Sequence, residues 1–402
     1  MRPMLLPLVS LLLHVWIGWR LAPALGAPWS AALVAVLALS ALTAPLGLGL
    51  RRAAGRGRLL HVASRIGLIA IGLFSSLLVL TLLRDLGLVL LTLVERFEPA
   101  WLSAGALQAA EVASARAVAG LALFASAWGF LNARRTAAVR RVDVPIAGLP
   151  DGLNGFTIAQ LSDMHVGPTI RRPYVERVVA AVNALDADLV AITGDLVDGS
   201  VRELAPHVAP LAELRSREGT FFVTGNHEYY SGADAWVAEL RRLGLTVLAN
   251  QHVAIRRGEA TLVVAGVNDF SAGHFDRAGA SDPAQALADS PPAALRLLLA
   301  HQPRSAEAAE AAGFDLQLSG HTHGGQFLPW NFLVRLQQPF TAGLKRWRRM
   351  WVYTSRGTGY WGPPKRFGAP SEITLLRLVA APFEAAVPSR PAPRTAPAPS
   401  GV

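Results

Sequence analysis

DLVAITGD at 188–195 and DLQLSGHTH at 315–323 decide how the second half of this chain is read. Each is a short apolar run that stops at a glycine beside carboxylate or imidazole side chains. A continuous apolar run with a turn signal behind it fits a strand buried on both faces. FTIAQLSD (156–163), TFFVTGNH (220–227), TLVVAGVND (261–269) and ALRLLLAHQ (294–302) end in polar residues in the same way. Amphipathic segments at 174–185, 233–243 and 305–312 separate several of these runs. The alternation predicts an α/β domain with helices on both faces. Ligands in such domains gather at the carboxyl ends of strands, which here carry His, Asp and Asn residues.

Outward from these runs, the composition changes at about residue 142. The 402 residues are 52% hydrophobic with a mean hydropathy of +0.34, high for a soluble enzyme. Four apolar stretches, 4–19, 30–50, 66–83 and 112–131, approach the roughly 20 residues that cross a bilayer as a helix. Arg2 ahead of the first also suits a signal peptide, but no clear small-residue cleavage site follows, so a retained span is expected. The run 86–94 is too short to cross alone and follows Arg84 and Asp85; it either extends the third stretch or lies at the interface. The expected organisation is a transmembrane region (1–141), a catalytic domain (142–381) and a disordered Pro/Ala-rich tail (382–402).

The net charge of +10 lies wholly in the first region, where residues 1–141 hold 14 Arg against 4 acidic residues. Charge that flanks apolar runs is a topology signal rather than a nucleic-acid footprint, and no nucleic-acid partner is expected. Arg51, Arg52, Arg56, Arg58 and Arg65 precede the third stretch, and Arg134, Arg135, Arg140 and Arg141 follow the fourth. With four spans both groups face the cytoplasm, together with everything after residue 140; one span more or fewer exports the domain. The absence of Cys excludes disulfides, a thiolate zinc site and a thiol nucleophile. His14, Glu111 and Arg116 lie in or near the apolar runs and are functional candidates by default, although snorkelling suits Glu111 and Arg116.

Five strand ends carry metal-ligand chemistry: Asp163-Met-His165, Gly194-Asp195-Leu-Val-Asp198, Gly225-Asn226-His227-Glu228, His301-Gln-Pro303, and Gly320-His321-Thr-His323-Gly-Gly325. Each alone suits a hydrogen-bonded structural residue; together they suit Mn, Zn or Fe. Without thiolates the set favours an open site over a closed structural one. His207, His252 and His274 fit no such block and are read as surface or loop residues.

These blocks, DxH, GDxxD, GNHE, a strand-end His and GHTHGG, resemble those of the calcineurin-like metallophosphoesterases over residues 154–380. The resemblance implies a two-sheet αββα sandwich with two divalent metal ions. Carried over position by position, it implies that Asp163, His165 and His323 hold one metal, that Asn226, His301 and His321 hold the other, and that Asp195 bridges them. It further implies hydrolysis of phosphomonoesters or phosphodiesters by a metal-bridging hydroxide. His227 would face the phosphate as charge stabiliser or general acid, and Asp198 would fix a ligand's orientation.

GHTHGGQ, the apolar FLPWNFLVRL (327–336) and SRGTGYWGPPKRFGAPSEI (355–373) look like the bacterial membrane-associated branch, some of whose members act on lipid-linked or nucleotide-linked phosphate esters. That implies a multi-pass protein of the bacterial inner membrane. GLKRWRRMW (343–351) interleaves Lys345, Arg346, Arg348 and Arg349 with Trp347 and Trp351, which suits anionic lipid; single-stranded nucleic acid suits the same mixture, and the nearby spans favour lipid. Membrane lipid and a phosphate ester, possibly one and the same molecule's headgroup, are the expected partners. The alternative is a catalytically silent membrane scaffold or sensor, disfavoured because all seven ligand positions hold competent residues.

Overall fold

The computed structural model describes residues 5–49 and 58–382. Arg2, the loop arginines Arg51, Arg52 and Arg56, and the tail after Pro382 lie outside the described residues.

Four apolar helices come first: α1 (Leu5–Leu25), α2 (Trp29–Gly49), α3 (Arg58–Phe97) and α4 (Ala106–Arg134). They bury Ile17, Leu21, Leu37, Leu77, Ala115, Val118 and Ala122 against one another. Leu12, Val15, Leu83 and Leu123 point outward and are more than half exposed, an arrangement that suits lipid rather than water. Among the described residues three helices are long and apolar enough to cross a membrane, Pro7–Leu25, Val62–Phe97 and Ala106–Arg134; the apolar part of α2, Trp29–Pro45, is shorter.

The run 86–94 continues α3, whose 40 residues reach about 60 Å at 1.5 Å per residue. Arg84 and Asp85 do not interrupt it because neighbouring helices satisfy them. Arg20 of α1 grips Asp85 through two bonds of 2.7 and 2.9 Å, and Arg84 donates to Ser114 Oγ and the Glu111 carbonyl of α4, both at 3.1 Å. His14 is buried, with Nδ1 2.7 Å from the Ser10 carbonyl, Nε2 2.9 Å from Ser40 Oγ and its ring stacked on Phe74. It pins three helices together, so packing accounts for it. Glu111 and Arg116 are exposed, as snorkelling side chains are.

β1 (Ala138–Ala147) follows α4 after only residues 135–137. Arg140 and Arg141, which follow the fourth apolar stretch, are strand residues paired with Thr374 and Leu375. The order continues β2 (Thr157–Leu161), α5 (Arg172–Asn183), β3 (Leu189–Thr193), α6 (Val201–Val208), β4 (Thr220–Val223), α7 (Asn226–Ser231), α8 (Ala233–Arg242), β5 (Thr246–Val247), β6 (Gln251–Arg257) and β7 (Ala260–Gly266). Then come α9 (Pro283–Leu287), β8 (Leu295–Leu299), α10 (Ala306–Ala312), β9 (Leu316–Ser319), α11 (Trp330–Leu333), β10 (Gly343–Trp347), β11 (Met350–Thr354) and β12 (Glu372–Ala381).

The strands form two six-stranded mixed sheets, β1-β12-β2-β3-β4-β5 and β10-β11-β9-β8-β7-β6. Alternation within the apolar runs shows why neither face is polar. Leu189 and Ala191 of β3, with Phe221 and Val223 of β4, face Leu295, Leu297 and Leu299 of β8 between the sheets. Val190, Ile192 and Phe222 point the other way, toward Val175, Val178 and Val179 of α5 and Trp236 of α8. Behind the second sheet, Leu298 packs with Ala306 and Ala309 of α10. The result is the expected two-sheet sandwich covered by helices, with β2, β3, β4, β8 and β9 ending at one rim.

Candidate metal centre

Each of those five strands delivers part of one cluster. Asp163 and His165 follow β2, Asp195 follows β3, Asn226 and His227 open α7 after β4, His301 follows β8, and His321 and His323 follow β9. Aiming the side chains inward costs the backbone something: Asp163, His165, Asp195, His321 and His323 all adopt left-handed φ values between 51° and 68°. Each such residue is held at roughly 1–3 kcal/mol. Gly320 lets the second-sheet loop approach the first, since a Cβ there would lie 1.9 Å from Ser162 Oγ and 2.1 Å from Asp163 Oδ2. The closed loop lets the His321 N–H donate to both Asp163 oxygens, at 2.9 and 3.0 Å.

Three groups of ligand atoms result, each gathered within 4.8 Å: Asp163, His165 and His323; Asp195, His301 and His321; and His165, Asp195 and His227. His165 Nε2 and His323 Nε2 approach to 3.1 Å, and His321 Nδ1 and His301 Nε2 to 3.2 Å. Asp195 Oδ2 lies 3.2 Å from His301 Nε2 and 3.8 Å from His165 Nε2, so one carboxylate reaches both halves of the cluster. Burial opposes its charge, yet His301, His227 and His165 together hold it well below the usual carboxylate range. Burial pushes His321 down to about 3 and His323 well below its ordinary value, leaving both neutral, the form that ligates a cation. His301 presents Nε2 inward because its Nδ1 lies 2.8 Å from the Thr193 carbonyl. Asn226 Oδ1 is buried with no hydrogen-bond partner, although buried polar atoms are nearly always satisfied. An acceptor left open beside imidazoles and carboxylates fits a divalent cation.

Asp198 lies beside the cluster. Its Oδ1 is 3.2 Å from His165 Nδ1 and 2.6 Å from His227 Nδ1, so one carboxylate touches both rings. His227 is ringed by aromatics, with centroids 5.3 Å from Tyr230 and 6.0 Å from Trp361. His207, His252 and His274 lie outside the cluster; His207 meets Arg171 and His252 meets the Ala286 carbonyl.

Sequence reasoning left two residues of this region without a role. Glu228 is fully buried and accepts from the N–H groups of Gly225, Asp195 and Leu196 at 2.6, 3.0 and 2.8 Å, tying the β3 and β4 loops together. An acidic residue at the third position of a helix was the available signal. Arg366 donates to the carbonyls of His323, Arg356, Gly359 and Ala369, a role that nothing local announces.

A profile described as calcineurin-like phosphoesterase matches residues 156–325. An Aquifex aeolicus protein named as an uncharacterized metallophosphoesterase is 34% identical over 60% of this chain and 91% of its own length. The chain belongs to the calcineurin-like phosphoesterase family. A Bos taurus protein named transmembrane protein with metallophosphoesterase domain is 44% identical over 63% of this chain, and one from Danio rerio is 39% identical over 62%. The chain spans about 60% of the length of these two relatives. In this chain the family's domain is preceded by apolar helices, three of them long and apolar enough to cross a membrane among the described residues.

The basic segment 343–351 is a β-hairpin at the edge of the second sheet, with the Arg348 and Arg349 side chains exposed. Arg348 and Arg349 both approach Glu310, at 3.2 and 3.7 Å, and Arg346 lies over the Trp351 ring. An exposed apolar surface lies in the segment after GHTHGGQ. Leu328, Trp330, Phe332, Leu333 and Leu336 are all exposed, Leu336 to 82%. Trp330 Nε1 in this segment donates to Ser75 Oγ of α3.

Proposed function

We propose that this chain is a membrane-bound phosphoesterase working through two divalent cations, with Asp195 between them. The observation that carries this reading is the overlap of ligand groups: Asp195 belongs with His301 and His321 on one side and with His165 on the other. Asp163, His165 and His323 would hold one cation, and Asn226, His301 and His321 the other. Cations so held supply Lewis-acid polarisation of a phosphoryl oxygen and lower the pKa of a nearby water. The protein's own groups do the rest: Asp198 aims His227 by a 2.6 Å contact, and His227 stabilises charge on the phosphoryl group or protonates the leaving oxygen. Mn, Zn and Fe all suit this donor set.

A phosphate ester carried on a lipid is the substrate class that the surroundings favour. Exposed Tyr230 and Trp361 stand beside His227, Phe275 packs on Tyr230, and the apolar 328–336 segment is fastened to α3. With α2 crossing as a fourth span, the arginines flanking the spans favour a multi-pass protein of the bacterial inner membrane with this domain on the cytoplasmic side. A reporter fused to the C-terminus checks that side, and an external signal overturns it. The activity is tested with an aryl phosphate ester and added Mn²⁺, using the full chain in detergent. Hydrolysis by the wild type and its loss in Asp195→Asn support the proposal; an inactive wild type, or an unchanged Asp195→Asn, refutes it.

A further inference from the structure

The loop GPPKRFG, residues 362–368, is wedged between α3 and α4. Pro363 packs on Gly72 of α3. Lys365, only 3% exposed, sends its ammonium to the Gly72 carbonyl at 2.8 Å, to Ser76 Oγ at 2.5 Å and to Ser126 Oγ of α4 at 3.3 Å. No carboxylate pairs with it among the described residues; hydroxyl and carbonyl oxygens of two helices serve the cation instead. Gly129 of α4 makes the fit possible, because a Cβ there would lie 2.7 Å from Lys365 Cγ. Its carbonyl accepts the Arg366 N–H at 2.9 Å, and Asn132 adds a 3.4 Å bond to the Arg366 carbonyl.

The next side chain along faces the other way. Arg366 is 1% exposed, and its guanidinium binds the His323 carbonyl at 2.8 Å, the Arg356 carbonyl at 2.7 Å and the Gly359 carbonyl, with Nη2 3.1 Å from His323 Nδ1. His323 is held at a left-handed φ of 51°, a conformation that persists only where its surroundings enforce it. A planar fork bonded to four carbonyls supplies that enforcement, and lysine in its place lacks the geometry.

We infer that Arg366 is a positioning residue for His323, and that Lys365, seated between α3 and α4, holds Arg366 in place. The membrane helix pair is thus part of the structure that forms the cation site, not only its anchor. This rests on the reading above, in which His323 ligates a cation. Residues one bond removed from a ligand typically alter metal affinity about 10- to 100-fold when replaced.

The test uses the full chain in detergent, stripped of metal and titrated with Mn²⁺, with free Mn²⁺ read by electron paramagnetic resonance. Lys365→Met and Arg366→Met are each expected to weaken Mn²⁺ binding about tenfold or more, with Arg366→Lys falling between wild type and Arg366→Met. Circular dichroism and elution volume of the metal-free proteins are expected to match wild type. Arg20→Met is the control, since it breaks the Arg20–Asp85 pair of the same bundle, nine residues along α3 from Ser76, and it is expected to leave Mn²⁺ affinity unchanged. If Lys365→Met does not fold, Ser76→Ala combined with Ser126→Ala removes two of its acceptors and is read in the same way. Wild-type affinity in the Lys365 and Arg366 variants, or an equal loss in Arg20→Met, overturns the inference. Failure of the wild type to bind Mn²⁺ instead overturns the metal-centre reading itself.

Discussion

Asp198 and His227 meet at 2.6 Å between Oδ1 and Nδ1, and the same oxygen lies 3.2 Å from Nδ1 of His165. One carboxylate therefore orients a ring proposed for proton transfer and a ring proposed as a metal ligand, and the two roles separate on mutation. His227→Ala is expected to lower kcat by about 10²- to 10⁴-fold while metal content stays at the wild-type level. Asp198→Ala is expected to lower both, with Mn²⁺ affinity falling about 10- to 100-fold through His165. Elemental analysis alongside aryl phosphate kinetics checks this. Metal lost in proportion to turnover in His227→Ala makes that residue a ligand, as its place beside Asp195 and His165 would allow.

Gly320→Ala adds a methyl group where there is room for none, 1.9 Å from Ser162 Oγ. The β9 loop must retreat from Asp163, which costs on the order of 1–3 kcal/mol. The expected result is a lowered Tm of the metal-free protein together with weaker Mn²⁺ binding. A variant with wild-type Tm and affinity shows that the loop yields freely.

Asp188 accepts from the Thr157 N–H at 2.8 Å and its hydroxyl at 2.9 Å, and it pairs with Arg217 and Arg257. Burial opposes its charge, but these donors hold its pKa below the usual 3.8. A carboxyl lowered in the folded state contributes stability in full above the unfolded value and loses it as pH falls through the folded one. Asp188→Asn is therefore expected to destabilise by about 1–3 kcal/mol at neutral pH, with the gap closing below about pH 4. Thermal unfolding across that range checks it; a gap independent of pH would assign the effect to packing.

Under the proposal of a lipid-borne ester, the exposed apolar segment would separate lipid-borne from soluble substrates. Phe332→Glu with Leu336→Glu is expected to reduce turnover of a phosphate ester presented in vesicles at least severalfold, through the cost of placing charge at an apolar interface. Hydrolysis of a soluble aryl phosphate is expected to stay unchanged. Equal loss on both substrates refutes a role in lipid presentation.

The strands and their ligand-bearing ends were legible because burial on both faces forces a continuous apolar run, and the turn that follows admits only small and polar residues. Leu189 to Thr193 followed by Gly194 and Asp195 is the clearest case. The extent of α3 was not legible, since Arg84 and Asp85 read as a break until Arg20, distant in sequence, supplies the opposite charge. Glu228 and Arg366 stayed without roles for the same reason. Their partners are backbone groups of other loops, which carry no residue identity. The left-handed φ values of five cluster residues are likewise invisible in a string of Asp and His, residue types enriched in that region that still adopt it only in a minority of positions.

Only residues 135–137 separate the end of α4 from the start of β1, while the 362–368 loop clasps the same helix from the side. A domain joined in two places cannot swing on a leash. Its metal-ligand cluster is therefore fixed relative to the helix bundle, and under the proposal of a lipid-borne ester, encounters would depend on lateral drift of ester groups in two dimensions rather than on any reach of the domain.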